Sequence, residues 1–93
     1  MYFVDRILEQ GTRQRKIPVP KKFWKDFPLG SIVKIQLIEE EEGLFYVDKV
    51  QAQGKIQRRI PLPKKFWSEF PLGKMVQIEV IKKGNRGVVD RKK

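Results

Sequence analysis

Residues 20–30 read PKKFWKDFPLG, and residues 63–73 read PKKFWSEFPLG. The two stretches lie 43 positions apart, and sliding the chain on itself by that distance aligns residues 3–40 with 46–83 without a gap. Of the 38 pairs, 20 are identical, including Val4/Val47, Asp5/Asp48 and Gly11/Gly54. Val88-Val89-Asp90-Arg91 echoes Phe3-Val4-Asp5-Arg6 a third time. The duplication decides the fold. One unit alone would leave its apolar faces in water, whereas two units cover each other.

Within each unit the pattern is strand, strand, short helix, strand. Tyr2–Leu8 and its copy Phe45–Val50 are rich in aromatic and branched residues, as strands are. A turn follows at Gly11 or Gly54. In the second strand Ile56, Arg58, Ile60 and Leu62 share one face, and Gln57, Arg59 and Pro61 the other. The first copy places Arg13, Arg15, Ile17 and Val19 on the matching face. Pro18 and Pro61 lack an amide donor and belong at a strand end or edge. Pro20 and Pro63 suit the first position of a helix of two to three turns, which Pro28 and Pro71 end. Phe23 and Phe27 lie four apart on one helical face, flanked by Trp24. A last strand, Ile32–Ile38 or Met75–Ile81, alternates apolar with polar residues. The expected architecture is mostly β: one domain over 1–93, a single closed barrel of six strands with two short helices. Repeat one spans 3–40, a linker 41–45, repeat two 46–83 and a basic tail 84–93. A folded monomer with internal pseudo-twofold symmetry is expected.

Ninety-three residues suffice for one modest core. The chain has neither Cys nor His. Disulfides, thiol nucleophiles, the usual zinc sites and imidazole acid–base chemistry therefore have no residues to use. No segment approaches the roughly 20 apolar residues that span a bilayer, and the N-terminus lacks the order of a signal peptide, so a cytoplasmic location is expected. The net charge is +10. Residues 1–43 hold 8 Lys/Arg and 7 Asp/Glu, whereas 44–93 hold 13 and 4. A thermophile-like Lys/Glu-rich surface accounts for many charges of both signs, but not for this imbalance. A basic excess of this size points to anionic partners.

The order Gly54, Ile60-Pro61, Pro63-Lys64, Leu72-Gly73, Val76-Gln77-Ile78-Glu79, with its first-copy equivalents, resembles AbrB-like transcription factors. The likeness covers nearly the whole chain, twice. In that family two chains with one unit each exchange hairpins to form a DNA-binding dimer. A fused pair is similar to the cradle-loop barrels, where a duplicated ββαβ element forms a RIFT barrel; a double-psi barrel or an intramolecular swapped-hairpin barrel is the alternative. An archaeal RIFT-barrel group with AbrB-like sequence is the nearest resemblance. It implies a small DNA-binding transcriptional regulator or a chromatin-type protein. Three departures stand out: Thr12 instead of a basic residue after Gly11, Trp24 and Trp67 where an Arg is common, and no Gly-Asp after the helix.

Lys55, Arg58, Arg59, Lys64 and Lys65, with Arg13, Arg15, Lys16, Lys21 and Lys22 in the first copy, form the candidate nucleic-acid site. Lys at a helix N-terminus opposes the macrodipole at a cost of up to about 1 kcal/mol, and a bound phosphate would reverse that penalty. The competing reading is a solvated face whose Lys stems cover apolar surface. Trp24 and Trp67 fit core packing better than base stacking, because they flank an aromatic stripe. Asp5/Asp48 and Asp26/Glu69 are read as ion pairs or strand-end contacts. Glu39–Glu42 reads as a solvated hairpin tip with at most weak attraction for a divalent ion. The tail reads either as an arm along phosphates or as a frayed terminus. No catalytic residue, metal site or cofactor is expected, and no enzyme. RNA or ribosome binding is the alternative partnership, and a protein-interaction module with solubilising charge is the third.

Overall fold

The computed structural model describes residues 2–38 and 43–84. In the first repeat the strands are β1 (Tyr2–Arg6), β2 (Leu8–Gln10), β3 (Gln14–Pro18) and β4 (Ile32–Leu37). In the second they are β5 (Phe45–Lys49), β6 (Gln51–Gln53), β7 (Gln57–Pro61) and β8 (Met75–Lys82). The period-two pattern carries over directly. Val33, Ile35 and Leu37 of β4 are buried between less buried neighbours, and so are Val76 and Ile78 of β8.

These strands form two four-stranded antiparallel sheets, ordered β1-β8-β4-β5 and β2-β3-β7-β6. The expected closed six-stranded barrel is not formed, in its RIFT-type, double-psi or swapped-hairpin version. Each repeat's long first strand breaks at Ile7 or Val50, which yields eight strands among the described residues and leaves β1, β5, β2 and β6 at the edges of the two sheets these form. The break has a physical cause in the opposite repeat. Ile7 N–H donates to Lys74 O at 3.1 Å, and Gly73 N–H donates to Ile7 O at 2.9 Å. Val50 makes the same pair of bonds with Ser31 O (3.0 Å) and Gly30 N–H (2.8 Å). The backbone is captured there by a turn, and the chain passes from one sheet into the other. Gly30 and Gly73 supply that turn at φ +83°, a region where a side chain is strained.

The expected helices are also shorter than read. Lys21–Phe23 and Lys64–Phe66 form single 3-10 turns, and no α-helix occurs among the described residues. Only seven residues separate Pro20 from Pro28. A helix bracketed so closely gains too few bonds to offset its nucleation. The bonds that do form run from Trp24 N–H to Lys21 O (3.0 Å) and from Phe27 N–H to Phe23 O (2.9 Å). They suffice to drive Phe27 into the core, at 0% exposure, and Phe70 likewise at 2%.

Equivalent residues face each other across an internal axis. Ile35 pairs with Ile78 at the centre of one sheet, and Ile17 with Ile60 at the centre of the other. All four are fully buried. Each repeat adds its own aromatic cluster. Phe3 stacks on Phe23 at 4.8 Å and meets Phe27 edge-on at 4.9 Å, as Tyr46 does with Phe66 and Phe70 at 5.2 and 5.1 Å. Burying each such ring contributes about 1.5–3 kcal/mol. The repeats also interleave, since β1 pairs with β8 and β5 with β4.

Candidate nucleic-acid interface

The segments Gln14-Arg15-Lys16-Ile17-Pro18 and Gln57-Arg58-Arg59-Ile60-Pro61 are β3 and β7, and they run antiparallel beside the internal axis. Each proline closes its strand, as its missing donor requires. The pairing nevertheless continues, because Val19 N–H donates to Arg58 O (3.0 Å) and Leu62 N–H to Arg15 O (3.1 Å). Alternation puts Arg15 and Arg58 on the same side of their strands as the buried Ile17 and Ile60, at the margin of the core.

There each arginine meets the other repeat's tryptophan. The Arg58 guanidinium carbon lies 4.2 Å from the centre of a Trp24 ring, and that of Arg15 lies 4.2 Å from Trp67. Lys21 and Lys64 approach the same indoles at 5.8 Å. The indole N–H groups are spent inward, donating to Val19 O (2.8 Å) and Leu62 O (3.0 Å). The tryptophans therefore pack against the core as expected, but each is half-buried and presents one face to an arginine. Such a stack orients the planar guanidinium and leaves its N–H edge available.

On the opposite face of the seam, Lys16 Nζ donates to Gln53 Oε1 at 3.0 Å. Its counterpart Arg59 donates through Nη1 to Gln10 Oε1 at 2.5 Å and to Gln14 Oε1 at 3.4 Å. Both contacts again cross between repeats. Two clefts result, of about 300 Å³ beside Trp24 and about 380 Å³ beside Trp67. Lys16, Lys21 and Arg58 line the first, and Arg13, Arg15, Arg59 and Lys64 line the second. Seven of the ten predicted site residues are thus gathered around the two tryptophans. Lys22 and Lys65 instead lie over Phe23 and Phe66 at 5.3 and 5.2 Å, where their stems cover apolar rings. Lys55 sits exposed in the β6–β7 turn.

A three-residue turn carries no useful macrodipole, so the expected phosphate site at a helix N-terminus loses its basis. Asp5 and Asp48 make strand-end contacts, accepting the N–H of Arg6 and Lys49 at 2.7 Å. Asp48 also lines the Trp67 cleft. Tyr46 donates its hydroxyl at 2.9 Å to the carbonyl of Pro61, a residue that lines that cleft. Burial, and secondarily the Asp48 charge, raise its pKa well above the ordinary phenol range. Glu39–Glu42 and the tail beyond Gly84 lie outside the described residues; Gly84 N–H donates to the buried Ser31 Oγ at 2.8 Å.

Sequence reasoning did not find Gln10, Gln14 and Gln53 as partners of the cations. Their one signal was identity at equivalent positions, Gln10 with Gln53 and Gln14 with Gln57. No helix among the described residues is long and apolar enough to cross a membrane. No protein-family model matches the chain, and no curated protein matches it.

Proposed function

We propose that this protein binds nucleic acid across the β3–β7 seam, with duplex DNA the favoured partner. One observation carries the reading: Arg15 and Arg58, from different repeats, are each held on the other repeat's tryptophan, at equivalent positions about the internal axis. A twofold set of oriented guanidinium groups suits the local dyad of a duplex and the phosphates beside it. The resemblance to AbrB-like transcription factors supports a regulatory or chromatin-type role without catalysis, in the cytoplasm. The interleaved repeats supply within one chain what a dimer would assemble, which supports a monomer.

The test is a titration of labelled duplex DNA and of structured RNA at two salt concentrations. Binding to the duplex should weaken steeply with salt, as phosphate contacts require. Tighter binding to RNA would move the protein to a translation-related role. Absence of salt-dependent binding to either would leave a protein-interaction module whose charge serves solubility.

A further inference from the structure

Formal charge does not distinguish the two clefts. Four cations and the Asp48 carboxylate surround Trp67, and three cations surround Trp24, so the net charge is the same. The donors are what differ. The Trp67 cleft has three guanidinium groups, Arg13, Arg15 and Arg59, against the single Arg58 of its twin. Where Arg13 stands, the twin has Ile56, which is 70% exposed. Where Arg59 stands, it has Lys16. Arg59 is also incompletely satisfied. Its Nη1 is spent on Gln10 and Gln14, while its Nε is buried with no hydrogen-bond partner. That Nε is sealed from solvent, so it leaves the charge poorly compensated rather than meeting a ligand itself. An oxyanion on the open side of the group is the partner a guanidinium matches best.

We infer that the Trp67 cleft is a phosphate seat and that the Trp24 cleft is not its equal. Arg59 offers the edge of its guanidinium that lies on the cleft wall, Arg15 presents its fork from the indole face, and Arg13 and Lys64 close the rim. Asp48 is the opposing charge on the wall, which leaves hydrogen-bond geometry rather than net charge to make the selection. The source of the phosphate, a nucleic-acid backbone or a free anion, rests on the function proposed above. If it is a backbone, the unequal seats break the internal symmetry and fix one orientation of the duplex.

The two tryptophans allow each cleft to be followed separately in one sample, because each indole N–H gives its own nitrogen-15 correlated resonance. The full chain is titrated with inorganic pyrophosphate against sodium chloride of matched ionic strength, and then with a DNA duplex. The Trp67 resonance should saturate at a pyrophosphate concentration roughly tenfold below that needed for Trp24, the scale of one charge-assisted hydrogen-bond set. Arg59→Lys should narrow the difference, and Arg59→Lys with Arg13→Ile, which makes both positions identical to their twins, should abolish it while leaving the Trp24 resonance in place. Equal midpoints in the wild type, or shifts no larger than those in chloride, overturn the seat. The two proposals fail separately. A duplex that binds without unequal seats preserves the function and removes the seat, and a selective pyrophosphate site without duplex binding does the reverse.

Discussion

The cleft beside Trp24 and the cleft beside Trp67 share a strand pair, a turn and an arginine–indole stack, yet they diverge at their rims. Where the repeats touch across the axis they are identical, Ile17 with Ile60 and Ile35 with Ile78. At the cleft rims they differ, Arg13 against Ile56, Lys16 against Arg59. A residue packed on its own copy at the axis must fit itself, so change there is costly; a rim position has no such constraint. The molecule therefore holds its symmetry where the repeats meet at the axis and relaxes it elsewhere, at the cleft rims and at buried pairs such as Phe3 with Tyr46 and Val19 with Leu62.

The strongest way to break this comparison is through the core. Phe27→Ala and Phe70→Ala should each destabilise by about 3–5 kcal/mol, as large-to-small changes at sealed sites do. Urea denaturation of the two variants should give matching losses. If only one is damaging, the halves do not share the load and the axis is only a backbone symmetry.

A smaller effect sharpens the comparison at the surface. Arg15→Ala and Arg58→Ala should both weaken duplex binding, Arg15→Ala the more because Arg15 stands in the Trp67 seat. Each should flatten the slope of log affinity against log salt by about 0.9 per lost phosphate contact. The charge distribution along the chain argues for a larger loss at Arg58. The cross-repeat stacking alone argues for parity, and the three guanidinium groups of the Trp67 cleft tip the balance to Arg15. Thermal melting of both variants, run beside the binding assay, separates a lost contact from a loosened tryptophan.

The smallest effect belongs to Tyr46, whose twin Phe3 has no hydroxyl. Tyr46→Phe should cost about 1 kcal/mol at neutral pH, the net worth of its bond to Pro61 O. Because folding raises its pKa, the neutral phenol's contribution is complete below the ordinary value near 10 and is lost as pH climbs beyond it. Alkaline melting curves should therefore fall more steeply for the wild type than for the Phe variant. Parallel curves would show that Tyr46 does not set the alkaline limit.

Much of the architecture was legible in the sequence. The repeat, the alternation of β4 and β8 and the prolines at the ends of β3 and β7 follow from residue spacing alone. The break at Ile7 was not legible, because Val4 and Leu8 look equally strand-like on either side of it. What divides the strand is a turn 66 residues downstream, whose Gly73 and Lys74 hold both of its backbone groups. The candidate cations were visible one by one, but their grouping was not. Arg15 and Trp67 share no local pattern; the β3–β7 register brings them together.

The position of β8 between β1 and β4 has a consequence for how the chain is made. Tyr2 at the start of the chain takes its place beside Glu79, near the end of the second repeat. On the ribosome β1 emerges early and then waits, its neighbour β8 still untranslated. The hairpins β2–β3 and β6–β7 can close as soon as they appear, but the other sheet must assemble late, from pieces far apart in time. Such distant pairing slows folding and leaves apolar strands uncovered meanwhile. Inserting a pause-inducing stretch of codons between the repeats should then lower the soluble yield, while the same stretch after residue 84 should not.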